Sequence, residues 1–141
     1  MTQKKAPIVV GVDDTEAGRA ALSFAMREAT KRGSSLDVVT AWTPRTLVDR
    51  EYAQDVQDLA VAGALRGLEG SPTLSRQVVE GDAATVLLAM ARTADYLVVG
   101  AGRGIFGEST PLGSVTEQCV RAAGCPVLVV PRPTPSTATE G

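Results

Sequence analysis

The chain contains no histidine. Ser-His-Asp and Cys-His nucleophilic catalysis are therefore excluded, as is any zinc site that needs an imidazole. There are two cysteines, Cys119 and Cys125. Their spacing is not CxxC, and we read Cys119 as a helix residue and Cys125 as a buried residue at a strand entry rather than as a redox pair. Aromatic residues make up 4% of the sequence, too few for a base-stacking platform on nucleic acid. Positive charge is not in excess: the net charge is −2 with Lys and Arg scattered, so no basic stripe for nucleic acid is present. No apolar run reaches the ~18 residues a membrane span needs. The opening "MTQKKAPIVVGV" has two lysines before an apolar run that soon meets Asp13 and Asp14, which argues against a signal peptide. The expectation is a cytoplasmic protein without nucleic-acid or membrane partners.

What is present is strand–helix alternation. The 141 residues suit one domain, and 44% hydrophobic against 21% charged content is the balance of an ordinary globule. Ala6 to Val12 is a continuous apolar, β-branched run, the pattern of a parallel strand buried on both faces. A helix follows, with Ala21, Phe24, Ala25 and Ala29 at helical spacing, Lys31 and Arg32 in its last turn and Gly33 as its stop. The same logic gives strands over Ser35 to Trp42, "LSRQVVEG", "DYLVVGA" and "CPVLVVP", and helices over "EYAQDVQDLAVAGALRGLEG", "AATVLLAMARTA" and "SVTEQCVRAAG". Five strands and four helices in alternation predict an α/β fold built on a single open, mainly parallel sheet with helices on both faces. Residues 6–132 would form the domain. Residues 1–5 and the Pro-, Ser- and Thr-rich 133–141 would be disordered.

In such sheets ligands bind beyond the carboxyl ends of the strands, where strand order reverses. Strands one and four are the natural pair there, followed by "GVDDTE" and "GAGRGIFGESTPLGS", with the end of strand two, Thr40 to Trp42, as a third contributor. The second stretch places five glycines within fourteen residues, Gly100 to Gly113, ahead of a helix. Such a loop presents unpaired N–H groups and the positive end of a helix dipole, which suits a phosphate. The competing account is a plain turn, with Ser114-x-x-Glu117 as a capping box.

Gly102-x-Gly104-x-x-Gly107 spells a dinucleotide motif, but it lies six residues short of its helix. The acidic residue expected roughly 20 positions on is missing too. Gly102 to Gly107 has P-loop spacing, but Glu108 stands where lysine is needed.

A third option, glycines at the two ends of a longer loop, matches a family. "IVVGVDDTEAGRAALSFAMREATKRGSSLDVVTAW" and "EGDAATVLLAMARTADYLVVGAGRGIFGESTPLGSVTEQCVRAAGCPVLVVP" resemble the opening and the second half of the universal stress protein family, over about residues 7 to 131. The resemblance implies a Rossmann-like sheet of order 3-2-1-4-5 and a homodimer through the fifth strand, Pro126–Val130. It also implies a division into ATP-binding members and members that bind no nucleotide. The binding members carry G-x2-G-x9-G-[S/T] after strand four. Gly100, Gly113 and Ser114 match three of its positions, and Arg103 replaces the second glycine.

If that position needs positive φ, arginine costs on the order of 1 kcal/mol or more. Gly102 and Gly104 beside it offer a shifted register, and Arg103 offers a phosphate contact of its own. Glu108 opposes an anion if it points inward. The resemblance further implies that Asp13 contacts the adenosine part of a nucleotide, that the main chain of Ala41 lines the adenine pocket, and that Val12 and Val115 line it too. On the residues alone, Asp13, Asp14 or Thr15 caps the first helix, with Thr15 the favoured cap, which leaves Asp13 open to a ligand.

The implied function is a nucleotide-binding regulatory module with ATP as ligand, cyclic AMP as a variant and Mg²⁺ bridging phosphates. The alternative is a protein-interaction module of the same fold without nucleotide. A weak ATPase comes third, because no convincing base, Walker lysine or arginine finger is apparent. Catalysis is not the expected role.

Overall fold

A computed structural model describes residues 5–44, 49–101 and 113–132. The stretches 1–4, 102–112 and 133–141, on which the disordered tails and most of the glycine loop were expected, lie outside the described residues. The elements alternate without exception: β1 (Ile8–Gly11), α1 (Glu16–Arg32), β2 (Leu36–Trp42), α2 (Arg50–Arg66), β3 (Leu74–Glu80), α3 (Ala83–Ala91), β4 (Tyr96–Gly100), α4 (Ser114–Ala122) and β5 (Val127–Val130). All five strands are parallel, in the order β3-β2-β1-β4-β5.

Continuous apolar strands are required because both sheet faces are covered. Successive side chains of a strand point to opposite faces. Ile8, Val10, Leu36, Val38 and Val98 thus face one core with Ala21, Leu22, Ala25, Met26 and Ala29 of α1 and Ala60 and Val61 of α2. Val9, Val39, Leu97 and Val99 face the other with Val86, Leu87 and Ala91 of α3 and Cys119 of α4. A Cβ at Gly11 would meet Leu87 Cδ1 at 2.7 Å, so the leucine packs into the space the glycine leaves. No helix among the described residues is long and apolar enough to cross a membrane.

The helix ends follow local chemistry. Thr15, Asp49 and Asp82 cap α1, α2 and α3 by accepting from Gly18, Tyr52 and Thr85 N–H. Gly33 closes α1 at φ 67, a left-handed conformation that favours glycine. Helix α2 ends at Arg66, short of the periodic run to Gly70, because Gly67 and a tight turn from Leu68 N–H to the Leu65 carbonyl stop it. Helix α3 likewise stops at Ala91, where bonds from Arg92 to Ala89 and Ala94 to Ala91 tighten the chain out of the α pattern.

Candidate functional site

The chain reverses between β1, with β2 beside it, and β4, with β5 beyond, so the carboxyl ends of β1 and β4 open the crevice the topology demands. Two groups of residues lie along the carboxyl edge of the sheet. The first forms a cavity of about 240 Å³ lined by Asp13 and Asp14 after β1 and by Thr40, Ala41, Trp42 and Thr43 of β2. Tyr52, Ala53 and Val56 of α2 and Gly81, Asp82 and Ala83 of the β3–α3 turn complete it.

The choice between Asp13 and Thr15 as cap is settled here. Thr15 Oγ1 accepts from Gly18 N–H at 3.0 Å and donates to Asp13 Oδ1 at 2.6 Å, and Thr15 N–H donates to the same oxygen at 3.1 Å. Gly18 must lack a Cβ, because one would collide with Asp13 Oδ1. The Asp13 carboxylate is thus fixed over the start of α1 while remaining exposed. A carboxylate has about four acceptor directions, so capacity for a ligand remains after two are used. Asp82 is held similarly, its Oδ2 accepting from Thr85 N–H and Oγ1, both at 3.2 Å. The Tyr52 hydroxyl donates to Asp14 Oδ2 at 3.0 Å and ties α2 to the β1–α1 turn. That bond stabilises the protonated phenol and raises its pKa above the usual value.

Beneath the cavity lies a buried polar cluster. Gln57 Nε2 donates to Thr40 Oγ1 at 3.1 Å and to the Gln77 carbonyl at 2.9 Å, and its Oε1 accepts from Arg76 Nε at 3.1 Å. Arg76 also pairs with Asp58. The Gln57 amide is therefore satisfied on both sides, and it fixes the cavity-lining Thr40 while locking α2 onto β2 and β3.

The second group lies where β4 gives way to α4. Ala101 N–H donates to the Val130 carbonyl and Gly113 N–H to the Ala101 carbonyl, each at 2.8 Å, so the two ends of the 102–112 segment are joined. Thr116 Oγ1 donates to the Gly100 carbonyl at 2.5 Å. Ser114 does not cap: Gly113 is the N-cap of α4, no side-chain cap bond is made, and Glu117 pairs with Arg121 instead. The capping-box reading is corrected by this geometry. The Gly113 bond to Ala101 precedes a helix that starts at Ser114, and among the described residues no side-chain oxygen caps its first turn.

Gly100 also has a packing role that the motif reading missed. A Cβ there would lie 2.5 Å from the Ala17 carbonyl carbon, so the bare Cα lets α1 seat against β4.

The structure thus brings Asp13 and Ala41 together in the cavity, and Gly100, Gly113 and Ser114 together at the α4 end. Val12 and Val115 are not among the described residues that line this cavity. Val12 is buried in the core beneath α1 and α2, and Val115 packs against the core beneath α3 and α4. Gly102, Arg103 and Gly104 lie outside the described residues. Sequence reasoning missed Tyr52, Gly81 and Asp82. The turn after β3 was findable, because it lies on the same carboxyl edge as those after β1 and β2.

The two cysteines carry no redox signature. Both are free, and burial pushes both thiols up toward the unreactive form. Cys119 is buried in α4 as expected, whereas Cys125 is half-buried rather than buried.

Comparison with known proteins follows the same lines. The model of the universal stress protein family matches residues 6–131. A universal stress protein of Mycobacterium tuberculosis is 31% identical over 139 residues, covering 87% of this chain and 46% of the relative. The chain spans about half the length of the curated relatives it matches. A crystal structure of a universal stress protein in complex with cAMP superposes with a TM-score of 0.68 at 26% identity, over 93% of this chain and 100% of that one. A protein of the family from Burkholderia pseudomallei gives 0.67 at 28% identity, over 93% and 99%.

Proposed function

The chain belongs to the universal stress protein family, and from that premise we propose that it is a regulatory module that binds an adenine nucleotide, with ATP as ligand. The base and ribose enter the cavity beside Asp13 and Ala41, and the phosphates lie toward Gly113, Ser114 and the start of α4. Mg²⁺, where present, is carried on the phosphate oxygens.

The observation that carries this reading is the opposite polarity of the two groups. Among the described residues the cavity lining holds three carboxylates, Asp13, Asp14 and Asp82, and no lysine or arginine. Ribose hydroxyls and an exocyclic amine find acceptors there, and a phosphate is repelled. At the other end a helix start without a side-chain cap offers N–H groups and the positive end of its dipole. A molecule with a hydroxyl-rich end and an anionic end fits in one orientation only. The similar protein solved in complex with cAMP supports the adenine class of ligand. We assign the module to the cytoplasm, where two free thiols persist.

Thermal unfolding with ATP–Mg²⁺ and with cAMP tests the reading. At ligand about 100 times Kd, binding adds about 2.7 kcal/mol, which for a domain of this size raises Tm by about 10 °C. Asp13→Ala is expected to abolish most of that gain. No shift with either compound refutes the proposal.

A specific observation favours a second reading. Gly100 has a packing role against Ala17, and the Gly113 N–H is spent on Ala101, so neither needs a nucleotide to explain it. On that reading the chain is a protein-interaction module of the same fold, and an unshifted Tm selects it.

A further inference from the structure

The chain has one Trp, two Tyr and two Phe, and two of these five, Trp42 and Tyr52, line the same cavity. Tyr52 is 44% exposed, one of few large apolar side chains at the surface. Its position is not explained by packing, since it belongs to neither core. Nor is it explained by capping, because the bond to Asp49 is made by its main-chain N–H, at 2.9 Å. What the side chain does is reach from the first turn of α2 to Asp14, 38 residues earlier, and hold its ring at the cavity wall by a 3.0 Å hydrogen bond.

We infer that Tyr52 is a ligand-binding residue of this cavity: its ring, oriented by Asp14, is a stacking wall for the nucleobase of the ligand. The inference rests on the nucleotide reading given above and adds to it the residue that sets affinity for the base. The other charged groups around the ring favour the same end of the ligand. Asp13, Asp14 and Asp82 disfavour a phosphate in the cavity, so what meets Tyr52 is the planar, uncharged part of the nucleotide. Every base has a π face, and an aromatic wall holds it whatever its edge pattern.

Trp42 is the sole tryptophan and lies in the same lining, so its fluorescence reports filling of this cavity directly. The test titrates the full chain with adenosine and with ATP–Mg²⁺, for the wild type, Tyr52→Phe, Tyr52→Leu and Tyr52→Ala. Trp42 emission, calorimetry and the ligand-free Tm are followed. Tyr52→Ala and Tyr52→Leu are expected to weaken adenosine and ATP by the same factor, about tenfold, the mid-range for loss of a base–aromatic stack. Tyr52→Phe keeps the ring and is expected to stay within about threefold of wild type in affinity, while every variant loses the bond to Asp14 and is expected to melt slightly below wild type without ligand.

If Tyr52→Ala binds both ligands as tightly as wild type, the inference is overturned while the nucleotide reading stands. Tyr52→Phe as weak as Tyr52→Ala, or unequal losses for adenosine and ATP, would show the hydroxyl or another part of the ligand to be responsible, and would also overturn it. A wild type that responds to neither ligand removes the nucleotide reading and this inference together.

Discussion

Asp37 sits in β2 between Val9 of β1 and Ser75 of β3, half-buried in the middle of the sheet. Desolvation raises its pKa above the ordinary carboxylate value. A group whose pKa is raised on folding binds protons more tightly in the folded state. Its favourable contribution is therefore complete below the unfolded pKa near 3.8 and is lost as pH rises through the folded value. At pH 7 the ionised carboxylate is a net cost. Asp37→Asn is accordingly expected to raise Tm at pH 7 and to leave it nearly unchanged near pH 3. Paired melts at the two pH values check this, and equal shifts at both would show that charge is not the cause. Asp13 and Ala41 were identifiable because they follow the ends of apolar runs, and strand ends are where ligands bind in this fold class. Tyr52 was not, because its place at the cavity depends on the seating of α2 over β2, which no local pattern records.

Among the elements, the close approach of α1 to β4 shapes the crevice most. Ala17, Gly18, Ala21, Ala25 and Ala29 give α1 a small-residue face buried against the sheet. Gly100 completes the fit by leaving no Cβ beneath Ala17. Gly100→Ala is expected to cost about 1–3 kcal/mol, the range for overpacking a well-filled core. The obstructing atoms are backbone of α1 and cannot swing aside. Urea unfolding measures the loss, and a variant as stable as wild type would show that α1 shifts without cost. The elements themselves were readable from sequence because two-sided burial forces apolar runs into the strands and 3.6-residue periodicity into the helices. The start of α4 was not. Ser114-x-x-Glu117 has the letters of a capping box, but a long-range bond between Gly113 and Ala101 fixes the first turn, and that bond exists only once β4 and α4 are in place. The ends of α2 and α3 moved for the related reason that turn bonds such as Leu68 to Leu65 compete with the last helical ones.

For the whole molecule, the two edges of the sheet are chemically unlike. On β3 the edge carries exposed Ser75, Arg76 and Glu80, of which the two charged residues discourage pairing. On β5 the sequence is Val127–Val130, entirely apolar, with Leu128 37% exposed. The family resemblance implies a homodimer through this strand, and the backbone supplies a way to test it. Pro126 and Val130 turn their carbonyls toward β4, where they accept from Leu97 and Ala101. Backbone polar groups alternate along a strand, so Val127 and Val129 direct their N–H and C=O groups outward. Antiparallel pairing of two copies about a twofold axis would satisfy these groups in both at once. We propose that dimer, and expect sedimentation at micromolar concentration to find it. Val129→Pro removes one outward N–H at an edge position, where proline does not cost a bond within the sheet. Leu128→Lys sets a charge on the same exposed strand without touching the backbone. Each is expected to give a monomer with the far-ultraviolet spectrum of the wild type. A wild type that sediments as a monomer, or a dimer that survives both substitutions, would rule out β5 as the contact, because the geometry leaves the outward groups of Val127 and Val129 at the centre of any pairing through that strand.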